Sequence, residues 1–266
     1  MPDAPSILLP PGFGKGLFFG DVEQPLQGIF ETSETQKLMV SAKLEFNDGR
    51  IYRYNRNGGV IAAKSGLMNS GPAVNTDLEA ETQTTIGANV AVGDVEIIVL
   101  IQTGSALAEN AMAQGTVYVE SATTAAFGDE YPIIASKLDD SDDTLLRLRL
   151  RYPIRTAWTG STVITIKPSP NWNTVVFPTT AENAAVGVNK VAVPINYFYW
   201  GQTGGPCSML VDNGDTLVKG DACGAPSSAG AAGEVGNQGT TDQIWGRVLH
   251  GIAGDSMALV YLTLDT

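Results

Sequence analysis

A chain of 266 residues with a formal charge of −12 is long enough to bury a sizeable core, and its acidity disfavours a sequence-independent grip on phosphate backbones. Hydrophobic residues make up 43% and charged residues 17%, a composition that points to a globular protein and away from disorder. No apolar run reaches membrane-span length, and the N-terminus lacks the basic start and apolar core of a secretory signal.

Residues 1–20 form a distinct segment. Pro2, Pro5, Pro10 and Pro11 favour an extended path, and Gly12, Gly14 and Gly16 then loosen the chain. Ile7, Leu8, Leu9, Phe13, Leu17 and Phe18 make this arm apolar. "GFGKG" lacks the preceding strand, the spacing and the Gly-Lys-Ser/Thr ending of a phosphate loop. A hairpin comes next, near residues 38–54, where "KLMVSAKLEF" and "RIYRY" flank the turn residues Asn47, Asp48 and Gly49. "VIAAKSGLMNSG" reads as a short helix ending near Gly71, and "GSALAENAMAQG", Gly104 to Gly115, has helical composition between glycine stops.

Strand candidates then recur every eight to twelve residues or so: "TQTTIG", "VEIIVLI", "TVYVES", "YPIIAS", "TLLRLRL", "TVITIKP", "NTVVFP", "VAVPINYFYW", "SMLVDNG", "DTLVKG", "IWGRVLHG" and "ALVYLTLD". In "LRLRLR", Leu146, Leu148 and Leu150 alternate with Arg147, Arg149 and Arg151, the pattern of a strand with one wet basic face. The whole predicts an all-β fold, sandwich- or barrel-like. We expect an extended arm (1–20), a main β-rich domain (21–195) and a small C-terminal β-barrel-like unit (196–266), in which "CGAPSSAGAAGEVGNQGTTD" is an exposed loop.

Chemistry-bearing motifs are sparse. His250 is the one histidine and has no nucleophile elbow beside it. Cys207 and Cys223 lack a second Cys/His pair for zinc spacing, and reduced thiols are favoured over a disulfide, although the sequence leaves their redox state open. The acidic run Asp139–Asp143 lacks the glycine and closing glutamate of an EF-hand loop. It reads as a solvated turn, with cation binding left open. No catalytic residue, cofactor or metal ligand is assigned, and the expectation is a non-enzyme.

The consecutive aromatics Tyr197, Phe198, Tyr199 and Trp200 pose a different problem. In a strand, alternate side chains face opposite ways, so both faces are bulky and both need cover. They belong at a junction, either between the two β units or between subunits, a fully internal junction being favoured. Gly201, Gly204 and Gly205 then permit a bulge or close backbone approach.

Several segments resemble a family of tailed-bacteriophage virion proteins: "LFFGDVEQPLQGIFETSETQKL" with "GRIYRYNRNGG", "AENAMAQGTVYVES" with "YPIIAS", "LRLRLRYPIRTAW" with "VITIKPSPNWNTVV", and "VPINYFYWGQTGGPCSMLV" with the C-terminal "GRVL" and "ALVYLTLD". Such proteins are similar to capsid decoration, or cement, proteins. The resemblance implies a non-catalytic protein on the capsid exterior of a virion assembled in the host cytoplasm. It would brace neighbouring capsomers, its partners being the major capsid protein and copies of itself in a homotrimer, with neither nucleic acid nor membrane as a partner. The arm and Tyr197–Trp200 are the expected contact residues. The alternatives are a tail or baseplate component, a receptor-binding protein gripping carbohydrate with Trp158, Trp172 or Trp200, and a polysaccharide-cleaving enzyme using paired carboxylates.

Overall fold

The computed structural model describes residues 27–59, 66–72, 76–83, 89–101, 107–120, 125–139, 142–178, 183–225, 229–235 and 243–265. The predicted arm, with Ile7, Leu8, Leu9, Phe13, Leu17 and Phe18, lies outside them. Strands account for 47% of the described residues and there is no α-helix among them, so the all-β, sandwich- or barrel-like expectation holds. The "GSALAENAMAQG" helix does not form over 107–115. That stretch is a series of tight turns, Ala111 N to Ala108 O, Ala113 N to Asn110 O and Gly115 N to Met112 O. Asn110 and Gln114 have positive φ of 61° and 64°, a conformation that helices exclude.

The chain divides into two compact units: Met1–Gly71 with Asn173–Thr266, and Pro72–Trp172. The first unit contains β1 (Lys43–Glu45), β2 (Ile51–Arg56) and β3 (Met68–Ser70). The second contains β4 (Glu81–Thr82), β5 (Glu96–Leu100), β6 (Thr116–Val119), β7 (Glu130–Asp139), β8 (Asp142–Leu150) and β9 (Val163–Lys167). The chain then returns to the first with β10 (Val175–Val176), β11 (Ala185–Asn189), β12 (Phe198–Leu210), β13 (Ala222–Gly224), β14 (Gly233–Glu234), β15 (Ile244–His250) and β16 (Met257–Thr263). The strands before and after the excursion pair directly, Val175 with Ser70 and Val176 with Asn69. The second unit is therefore an insertion between two hydrogen-bonded neighbours.

This corrects the boundary expected at 195/196. Residues 196–266 do not stand alone, because β12 pairs along its length with β2, β11 and β16 in one ten-stranded sheet. The "CGAPSSAGAAGEVGNQGTTD" segment likewise contributes β13 and β14, and Cys223, Ala225, Ala231 and Ala232 are buried in the same unit. Residues 226–228 and 236–242 of that segment lie outside the described residues. The predicted hairpin forms as expected, Lys43–Glu45 pairing with Ile51–Arg53 across Gly49 at φ +83°.

In the inserted unit the sheet order is β4-β9-β6-β7-β8-β5. Alternation places Leu146, Leu148 and Leu150 inside with Val99, Val117, Ile133, Ile164 and Ile166, and leaves Arg147 and Arg149 exposed. Gln83, just beyond β4, reaches an edge of β5: its Nε2 donates to Leu100 O at 3.1 Å and its Oε1 accepts from Leu100 N at 2.8 Å. A buried amide thus stands in for one residue of strand pairing between the two edge strands, whose unpaired groups would otherwise need water. Gln83→Ala is expected to destabilise this unit by about 2 kcal/mol, the range for stranding buried hydrogen-bonding groups. Faster hydrogen exchange at the Leu100 amide would report the loss directly, and unchanged protection would refute the bridge.

Candidate functional site

The aromatic strand is enclosed by its own unit. Phe198, Tyr199 and Trp200 are buried, and Tyr197 is half-buried against Val193 and Tyr199. Phe198 and Trp200 lie on one face with Tyr54 of β2. The Tyr54 ring stacks on Phe198 at 5.8 Å and meets Trp200 edge-on at 5.1 Å, geometries that add to simple burial. Tyr199 points the other way, its hydroxyl 3.0 Å from Thr174 Oγ1, and its surroundings include Val193 and half-buried Val176 and Val191. Burial pushes its phenol pKa up, partly offset by the Thr174 hydrogen bond. Of the two junctions considered, these residues occupy the internal one. Phe198, Tyr199 and Trp200 are not available as a contact surface in this fold, because the chain itself covers both faces.

Gln27 is the residue that sequence reasoning missed. It is buried, donates Nε2 to Phe198 O at 2.9 Å and accepts from Tyr54 Oη at 2.7 Å. Its backbone oxygen accepts from Trp200 Nε1 at 2.9 Å. One polar residue thereby satisfies the cluster's phenol, indole and strand carbonyl. Its sequence context, "PLQGIF", carries no periodic signal that could have marked it.

The glycines after Trp200 do not end the strand. β12 continues through them, with register shifting between Gln202 and Gly204. On one edge, pairing passes from β2 (Phe198 to Gly204) to β16 (Gly204 to Leu210). Gln202 Nε2 donates to the carbonyls of Gly204 and Pro206, and Thr203 Oγ1 donates to Ile51 O. These side chains satisfy the backbone groups that the bulge frees. Beside the transition, Arg53 of β2 holds Asp265 in a bidentate pair at 2.6 and 3.0 Å. That hydrogen bonding holds the Asp265 carboxyl below the usual range.

Beyond the bulge the two faces differ. Cys207 and Met209 enter a core with Trp245, Val248, Val260 and Leu262. Cys207 and Cys223 are free thiols, and burial pushes both up, Cys223 to about 12. Such thiols are protonated and poor nucleophiles. Lys190 Nζ lies 3.0 Å from Cys207 Sγ. The opposite face carries Met257, Leu259 and Tyr261 of β16, each about two-fifths exposed.

The other singled-out residues are dispersed. His250 is exposed at the end of β15. In the acidic run, Asp139 pairs with Arg147 at 2.6 Å and Asp142 accepts from Thr144 N and Oγ1; residues 140 and 141 lie outside the described residues. Among the described residues no group of three or more His, Cys, Asp or Glu side chains is placed to hold a metal. A groove of about 440 Å³ in the inserted unit mixes Glu96 and Glu109 with Lys137 and Arg147. Trp158 and Trp200 are interior and Trp172 half-buried, so the first two offer no face on which a sugar could stack. No family model, curated protein or solved structure matches the chain.

Proposed function

We propose that this chain is a non-catalytic virion protein that binds the outer surface of a tailed-phage capsid and braces neighbouring capsomers. The observation that carries this reading is a coincidence of sequence and mechanics. The segment 193–211, which resembles decoration proteins, is also the spine of the larger unit: β12 joins β2, β11 and β16 through thirteen residues. Its aromatic half is locked on both faces, which gives a stiff body. A brace needs that stiffness, because a compliant body would absorb the strain it is meant to resist.

The net charge of −12 suits a protein kept outside a shell packed with nucleic acid, where like-charge repulsion limits non-specific binding. Many repeated weak contacts across a lattice supply avidity without strong individual ones. The arm, with Ile7, Leu8, Leu9, Phe13, Leu17 and Phe18, is the segment proposed to engage a capsid neighbour, by strand addition. Imaging intact virions that carry the chain, at a resolution that traces it, is the test. Near-complete occupancy of capsid surface sites, with a drop in shell melting temperature when the protein is absent, is the expected result. Density confined to the tail, or turnover of a polysaccharide by the purified chain, would overturn the reading.

A further inference from the structure

We infer that the outward face of β16 is a self-association surface, occupied by the same face of a second copy. This inference goes beyond the capsid reading and does not depend on it. β16, "MALVYLT", alternates strictly: Ala258, Val260 and Leu262 are buried, and Met257, Leu259 and Tyr261 are 43%, 39% and 43% exposed. An antiparallel sheet with one wet face normally places polar side chains there. Here both faces of the strand are apolar, the same pattern that in Phe198–Trp200 is resolved by covering both sides. Among the described residues, β16 is covered on one side only.

Register defines the patch. On β12, Leu210, Ser208 and Pro206 sit opposite Met257, Leu259 and Tyr261. On β15, Arg247 sits opposite Tyr261 and His250 opposite Leu259, with exposed Leu249 as the extra residue of the bulge. No carboxylate occurs in this set, in a chain whose net charge is −12. Two copies meeting here escape the like-charge repulsion that their shared acidity imposes elsewhere. The four exposed apolar side chains leave roughly 300 Å² accessible, the size of a functional patch. The flanking Pro206, Ser208, Leu210, Arg247 and His250 extend it toward the roughly 800 Å² per partner of a stable interface.

A two-fold contact makes the patch its own complement. Leu259 is the middle of the three-residue row, so it lies on the axis, with Met257 of each copy against Tyr261 of the other at sheet-packing distance of about 10 Å. Sedimentation velocity of the full chain from about 1 to 100 µM tests this. The wild type is expected to dimerise or to form a larger oligomer built on that dimer. Leu259→Asp, which sets two carboxylates together at the axis, is expected to raise the dimer dissociation constant at least ~100-fold. Its circular dichroism and melting temperature should stay close to those of the wild-type fold, because the side chain is solvent-facing. Leu259→Cys should be captured as a covalent dimer by a short bis-maleimide, because sheets about 10 Å apart hold the two thiols beyond direct disulfide reach, with Cys207 and Cys223 buried and silent. A wild type that stays monomeric throughout, an association unchanged by Leu259→Asp, or a Leu259→Cys that fails to cross-link would each overturn the assignment. So would a monomer in which Leu259→Asp abolishes only binding to another protein, since the face would then belong to that partner.

Discussion

Trp200→Ala is expected to lower the stability of the larger unit by about 3–5 kcal/mol, the range for truncating a buried aromatic. Two losses combine. The indole is 1% exposed, so its removal leaves a cavity beside Tyr54, whose ring it meets at 5.1 Å. The backbone oxygen of Gln27 also loses its indole donor in a place from which water is excluded. With a urea slope of about 2 kcal/mol per M, the midpoint should fall by roughly 1.5–2.5 M, read by far-UV circular dichroism because three other tryptophans complicate fluorescence. Trp200→Phe keeps most of the packing but not the hydrogen bond, and should cost about 1–2 kcal/mol. A loss below about 1 kcal/mol for the alanine variant, accompanied by dissociation of an oligomer, would move Trp200 from the interior to an interface.

The same residues show how far the sequence could be read. Period-two alternation was strong where one face is wet, and β8 and the β1–β2 hairpin form where Leu146–Leu150 and Asn47-Asp48-Gly49 place them. Burial of Phe198–Trp200 on two faces also follows from alternation alone, and the internal alternative is the one realised. What alternation does not encode is pairing between distant strands. β2 and β12 are separated by about 140 residues, including the whole inserted unit, and nothing local to either announces the other. A boundary at 195/196 resulted from treating neighbours in sequence as neighbours in the sheet.

Two helix readings fail: "VIAAKSGLMNSG" supplies the strand β3 at Met68–Ser70, its residues 60–65 lying outside the described residues, and "GSALAENAMAQG" turns without coiling. "GSALAENAMAQG" has helix-forming composition, yet Asn110 N donates to Ser136 O and Gln114 N to Ile133 O, both on β7. Tertiary hydrogen bonds to the sheet take the place of helical ones, and intrinsic propensity of a few tenths of a kcal/mol per residue does not resist that. Gly201, Gly204 and Gly205, expected to permit a bulge or close backbone approach, do both: register shifts between Gln202 and Gly204, and Gly205 lies against the backbone of Gly49.

Gly205→Ala should accordingly be strongly damaging, costing at least about 3 kcal/mol, because it combines backbone strain with a backbone clash. Its φ is +76°, where an alanine carries a strain of roughly 1–2 kcal/mol. A β-carbon there would also lie 2.4 Å from Gly49 O, 2.8 Å from Gly49 C and 3.0 Å from Arg50 Cα. Those are backbone atoms of the hairpin turn, held by Gly49 N to Phe46 O and Phe46 N to Arg50 O, so relief requires the β1–β2 hairpin to lift away from β12. Gly214 provides the control: its φ is +99° but nothing lies within 4 Å of a built β-carbon, so Gly214→Ala reports conformational strain without the clash. The difference between the two unfolding free energies isolates the cost of separating the hairpin from the spine. Equal losses at the two positions would mean that the hairpin does not sit against Gly205. The passage of β12 from β2 to β16 would then need another explanation.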